Sequence, residues 1–176
     1  MEFKTNRTGV EKKFFDYCQG LLPEMGYMLY DLEYLPSQKL FRLFVMNPLT
    51  KTALIEDCIK VDHALTPCFE NETWMPDEVT LEVSSPGAYR QLKDLDHLSL
   101  VKNQMVMCVI KGKLTEEQLK FVPAKFKGEK KFRGRLTDFG ADFITIEIAN
   151  GQLTLKADQI KSMNLDPDMK DLLDKK

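Results

Sequence analysis

Apolar side chains recur at steps of three and four over residues 10–22, at Val10, Phe14, Tyr17, Cys18 and Leu21. This is the period of a helix that buries one face. Pro23 and Gly26 predict its end. Residues 27–35 then alternate, with Met28, Tyr30, Leu32 and Tyr34 on one face and Asp31 and Glu33 on the other, as in a half-buried strand. Pro36-Ser37-Gln38 predicts a hairpin turn into a second strand at 40–46, with Phe41, Leu43 and Val45 inward and Asn47-Pro48 as its stop. A stripe of Cys58, Val61 and Leu65, with Ile55 and Ile59 beside it, predicts a second helix over 54–66 that Pro67 ends or kinks. Glu56 and Asp57 fall in its first turn, where the helix dipole favours negative charge. Alternation returns at 79–83, with Val79, Leu81 and Val83 inward. The order helix, strand, strand, helix, strand predicts a two-layer α/β domain with its helices on one face of a small sheet.

The pattern changes beyond residue 97. A continuous apolar strand, MVMCVI, covers 105–110, and a lysine-rich segment covers 111–131. Short strands follow near 132–138, 143–149 and 152–156, with turns at Gly140-Ala141-Asp142 and Asn150-Gly151. Asp158-Gln159-Ile160 reads as a tight turn into a last strand at 161–165. Five short strands in this space predict a small β-barrel of SH3-like or Sm-like type. The expected organisation is therefore α+β in two domains. Residues 1–93 are the α/β domain, 94–97 a linker, 98–165 the barrel with its lysine-rich loop at 111–131, and 166–176 a polar tail.

Charge changes this picture more than composition does. The 176 residues hold 25 Lys and Arg against 27 Asp and Glu, a net charge of -2, which on its face excludes a strongly basic nucleic-acid binder. Divided at the domain boundary, residues 1–97 carry 10 basic and 16 acidic side chains, residues 98–165 carry 12 and 7, and the tail carries 3 and 4. The cations concentrate at 120–135, in Lys120, Lys125, Lys127, Lys130, Lys131, Arg133 and Arg135, with Phe121, Phe126 and Phe132 between them. Such a cluster is either an RNA-facing loop, with cations for phosphates and an aromatic ring to stack on a base, or a solvated loop whose Phe132 belongs to the core.

The chain offers little to catalysis. It has no G-x-S-x-G elbow, no phosphate-cradling glycine loop and no C-x-x-C pair. Cys18, Cys58, Cys68 and Cys108 read as reduced buried thiols. Cys58, His63 and Cys68 are spaced by five, which turns successive side chains about 140° apart on a helix, so they make no metal site. His97 follows Asp94 and Asp96 and reads as a solvated linker residue. No cofactor is expected. The start lacks the apolar core of a signal peptide and no run approaches a membrane span, so a cytoplasmic protein is expected. Nothing in the sequence demands an oligomer.

Four blocks carry a resemblance. They are Gly26-Tyr27 leading into Asp31-Leu32-Glu33-Tyr34; Glu56-Asp57-Cys58 with Ala64-Leu65; Leu81-Glu82-Val83-Ser84-Ser85-Pro86-Gly87 with Arg90 and Leu92; and Lys130-Lys131-Phe132-Arg133-Gly134-Arg135-Leu136 with Asp158-Gln159-Ile160. In this order they resemble RimP, the bacterial ribosome maturation factors. The resemblance implies an α/β amino-terminal domain, an SH3-like carboxy-terminal barrel and no enzymatic activity. It implies binding to the immature small ribosomal subunit, with small-subunit ribosomal RNA and the ribosomal protein near the decoding centre as partners. This chain departs from the family in having Ala88-Tyr89-Arg90-Gln91 after the SSPG turn and Leu54 where the second helix is usually capped by Ser or Thr. Segment 112–129 is also longer than the family's usual connection. Ser84, Ser85, Pro86 and Gly87 either set the angle between domains or, with Arg90, meet a partner.

Two other classes fit the barrel alone. One is a general Sm-like RNA chaperone not dedicated to the ribosome, since fold does not fix function. The other is an SH3-type adaptor. All five tyrosines and the one tryptophan precede residue 90, so the barrel has no aromatic hydroxyl or indole N–H for a peptide carbonyl, which weighs against the adaptor.

Overall fold

The computed structural model describes residues 3, 5–124, 127–149 and 151–168. The chain forms two compact units. One is Asn6–Gly87; the other is Ala88–Lys176 together with Met1–Thr5.

In the first unit, α1 (Gly9–Glu24), β1 (Met28–Leu35), β2 (Leu40–Met46), α2 (Ile55–Asn71) and β3 (Thr80–Ser84) follow in the predicted order. The sheet runs β1-β2-β3. β1 and β2 form an antiparallel hairpin, and β2 and β3 pair in parallel, a connection that needs a crossover element, here α2. Phe14, Cys18 and Leu22 of α1 and Val61, Leu65 and Cys68 of α2 bury against Phe41, Leu43 and Val45 of β2. The ring of Phe14 lies 4.7 Å from Phe41 and 5.3 Å from Phe69.

The first helix ends between Pro23 and Gly26, as predicted, whereas the second overruns Pro67 by a turn. α1 passes through Pro23 before closing at Met25, whose N–H donates to the Leu22 carbonyl. α2 continues through Pro67 to Asn71. A helix-interior proline costs about 3 kcal/mol, but the extra turn buries Cys68 and packs Phe69 into the core, which offsets it.

Asp31 is a second departure from the periodicity. The register shifts between Leu29 and Asp31, so Tyr30, Asp31 and Leu32 are all buried. An extra residue breaks the alternation of a strand, and here it turns a carboxylate predicted to face water into the interior.

In the second unit, α3 (Leu95–Leu100), β4 (Met105–Ile110), α4 (Glu116–Leu119), β5 (Lys131–Phe139), β6 (Phe143–Ile148), β7 (Gly151–Lys156) and β8 (Ile160–Leu165) follow. The five predicted strands are present and join in an open antiparallel sheet ordered β7-β6-β5-β4-β8. Its buried face includes Val106, Cys108, Phe132, Leu136, Ile144, Ile146, Leu153, Leu155 and Met163. Phe3 and Leu92, from outside the sheet, join the same core. Residues 90–92 line the outer edge of β8: Leu165 N–H donates to Arg90 O and Leu92 N–H to Met163 O, both at 2.9 Å. At the opposite edge the Gln118 amide donates to Thr154 O at 2.8 Å. Covered edges resist pairing with other chains.

His97 is not a solvated linker residue. It is 2% exposed within α3, and its Nδ1 accepts from Lys93 N–H at 3.0 Å. Asp94, read as linker, caps α3 by accepting from His97 N–H at 2.9 Å. A helix of only six residues leaves too little periodicity to be seen in sequence.

Candidate nucleic-acid interface

β5 divides its side chains cleanly. Phe132, Gly134 and Leu136 point into the core, while Lys131, Arg133 and Arg135 are exposed. A strand's side-chain period of two turns the run Lys-Phe-Arg-Gly-Arg-Leu into one apolar face and one cationic face. The cations stand beside Val109, Met107 and Met105 of β4 in register. Gly134 is the residue that lets β6 approach: a Cβ there would lie 2.6 Å from the Glu147 carbonyl oxygen.

The other predicted cations lie before β5. Lys120, Lys127 and Lys130 are exposed. Like Lys131, they form no ion pair with another described residue. Lys125 and Phe126 fall outside the described residues, as do Asn150 of the Asn-Gly turn and the tail beyond residue 168. The two arginines differ from the lysines. Arg133 Nε donates to Asp166 at 2.5 Å and its Nη2 to Asp168 at 2.7 Å. These carboxylates, Asp168 first, raise its pKa further above the ordinary guanidinium value. Arg135 Nη1 donates to the Asn103 carbonyl at 2.6 Å.

The aromatic residues separate as well. Phe132 is 5% exposed and belongs to the core, whereas Phe121 is 41% exposed. Phe121 rests where a side chain on Gly151 would lie, 3.1 Å from a Cβ there. It borders a groove of about 810 Å³ shared with Gln118, Gln152, Thr154, Lys156 and Gln159. Gln118 and Gln159 spend their amides on each other, at 3.0 and 3.2 Å, and Glu117 and Asp158 also line the groove, so its charge is mixed. A smaller hollow of about 280 Å³ lies against Met107, Val122, Pro123 and Ile148, with Lys131 and Arg133 at its wall.

In the first unit, Ser84 ends β3, and Gly87, at φ +77°, is its last residue. Only glycine adopts such a φ without cost. Ser85 Oγ accepts from Gly87 N–H at 3.4 Å. Arg90 belongs to the second unit and is 6% exposed.

Sequence reasoning missed two polar arrangements of the first unit. Arg7 donates to the buried Asp31 at 2.5 Å and lies over the Phe15 ring at 4.1 Å. Asp57 accepts from Leu54 N–H at 2.9 Å and from the Tyr27 hydroxyl at 2.7 Å. The tyrosine hydroxyl, then the backbone N–H, holds its carboxyl below the usual carboxylate range. The absent Ser or Thr cap is thus offset from inside the helix, at its third residue. Exposed Leu49, Leu54, Ile55 and Ile59 lie near this helix start. Among the described residues there is no metal-ligating cluster, and no helix is long and apolar enough to cross a membrane.

Known families recognise the first unit. Residues 17–89 match the family model of the RimP N-terminal domain. By class the proteins of this family are ribosome maturation factors, a role generally carried out without catalysis. The match, which covers 73 of the 176 residues, supports a protein of the RimP family. The match spans the blocks around Asp31, Asp57 and Ser84–Gly87; the basic block of β5 lies beyond it.

Proposed function

We propose that this protein assists assembly of the small ribosomal subunit by binding its immature RNA through the cationic face of the carboxy-terminal unit. The supporting observation is the division of β5, which commits Phe132, Gly134 and Leu136 to the core and leaves Lys131, Arg133 and Arg135 exposed in a row. Lys120, Lys127 and Lys130 extend that charge, and Phe121 supplies a ring on which a base stacks. In the finer fold reading, the five short antiparallel strands and the tight turn before β8 are an SH3-like or Sm-like barrel.

The amino-terminal unit takes the basic ribosomal protein near the decoding centre. Four of its cations are already spent on its own carboxylates, in the pairs Arg7–Asp31, Lys12–Asp16, Lys39–Glu78 and Arg42–Glu82. α2 retains Glu56, Asp57, Asp62 and Glu70 against Lys60, a charge that steers a basic partner. The protein works in the cytoplasm, as a monomer, without a cofactor.

The test is sedimentation of the full chain with immature small subunits and with translating ribosomes. Association with the former alone is expected; equal association with both, or with neither, counts against the reading. A general RNA chaperone would instead appear on many unrelated RNAs. Replacing Lys120, Lys127, Lys130 and Lys131 by Gln should weaken binding and flatten its salt dependence, by about 0.7 in log–log slope for each phosphate no longer engaged. An unchanged slope places the RNA elsewhere.

A further inference from the structure

Arg133 stands between Lys131 and Arg135 on the exposed face of β5, yet two carboxylates already hold it. Both come from the segment that leaves β8. Asp166 is anchored there by its own N–H, which donates to Met105 O at 2.9 Å, and Pro167 stiffens the step to Asp168. The guanidinium also donates to the Asp166 carbonyl at 3.0 Å. A planar fork receiving oxyanions in this way is satisfied as it would be by a phosphate. Two acids on one cation leave the trio net negative, so this is more than neutralisation. The seat is open to water, with Arg133 39%, Asp166 22% and Asp168 53% exposed, and pairs this exposed open at a cost of no more than about fivefold in population.

We propose that Asp166 and Asp168 form an acidic latch that occupies the phosphate seat of Arg133 in the free protein and yields it to an RNA backbone phosphate. The proposal rests on the reading that the β5 face binds RNA. The tethered carboxylates outcompete an isolated phosphate because they are always at hand. An RNA strand displaces them because its successive phosphates also engage Lys131 and the lysines before β5, which the latch leaves untouched. The latch therefore selects extended strands over single phosphates.

The experiment measures binding of a fluorescein-labelled single-stranded RNA oligonucleotide to the full chain by anisotropy. D166N/D168N is expected to bind about fivefold more tightly than the unaltered chain, following the removal of a competing closed state. In an Arg133→Gln background the same pair of substitutions is expected to change nothing. No tightening overturns the latch, as does equal tightening in the Arg133→Gln background, which would reveal only a general charge effect. RNA binding that responds to the lysine substitutions but not to D166N/D168N sinks the latch and leaves the RNA reading standing. Absence of RNA binding in every variant sinks both. Asp168→Asn alone, beyond the last strand, is the second variant should the double one melt early, with about twofold tightening expected and no change overturning the proposal.

Discussion

The Arg7 guanidinium and the Asp31 carboxylate meet at 2.5 Å with only 9% and 5% of their side chains exposed. Asp31 reaches this position because the register shift in β1 turns it inward, where it also accepts from Leu32 N–H at 2.9 Å. Asp31→Ala leaves the buried Arg7 with only its longer 3.7 Å pair to Glu11, and the expected cost is about 3 kcal/mol in urea denaturation. The double replacement Arg7→Met with Asp31→Leu, which removes both charges, is expected to cost clearly less. If the single and double variants are equally destabilised, the pair is not what holds the bulge.

A second prediction concerns acid. Asp57 is held below the usual carboxylate range, first by the Tyr27 hydroxyl and then by Leu54 N–H. A folded pKa below the unfolded value of about 3.9 adds stability above that pH, and the contribution is lost as pH falls toward the folded value. Tyr27→Phe should raise the Asp57 pKa, read by carboxyl carbon chemical shifts, and should cost about 1 kcal/mol at neutral pH. The cost should shrink in acid. A cost independent of pH would assign it to packing instead.

Gly134→Ala separates structure from binding within the basic block. A Cβ 2.6 Å from a backbone carbonyl oxygen requires β5 and β6 to part, and overpacking of this kind costs about 1–3 kcal/mol. Thermal melting should show the loss. By contrast, Lys131→Gln, on the exposed face of the same strand, should leave the melting temperature within about a degree or two.

The four cysteines are free and buried. Burial pushes Cys68 up to about 11 and Cys108 up to about 12, and raises Cys18 and Cys58 as well. Thiolate is the reactive form, so an aromatic disulfide reagent at pH 8 should label none of them in the native protein and all of them in denaturant. Raised folded values also fix a sign: this stability is present below the unfolded thiol pKa and is lost as pH rises above about 9. Fast native labelling at any one site would show that the site opens.

Elements with a long apolar stripe were legible in the sequence: α1, α2 and the strands β1 to β8 fall close to where periodicity puts them. The departures are local. Pro23 and Gly26 bracket the end of α1 as predicted, but the stop expected at Pro67 is overridden by tertiary packing, where Cys68 and Phe69 complete the core. Asp31 follows the alternation until one extra residue shifts it. His97 and Asp94 depend on a helix too short for periodicity. The cationic cluster was legible as composition, but not the difference between Lys131 and Arg133, because the carboxylates that hold Arg133 lie more than thirty residues away. Arg7 carried no signal at all, since its partner is fixed by the bulge.

Phe3 has a consequence for how the chain is made. It is 5% exposed in the core of the second unit, whose remaining residues begin at Ala88. On the ribosome the chain emerges amino terminus first, so Asn6–Gly87 holds everything it needs early. Phe3 must wait, solvated, until the last strand has been synthesised. The second unit thus closes on an early and a late part of the polypeptide together, and a fragment starting at Ala88 lacks one of its own core side chains.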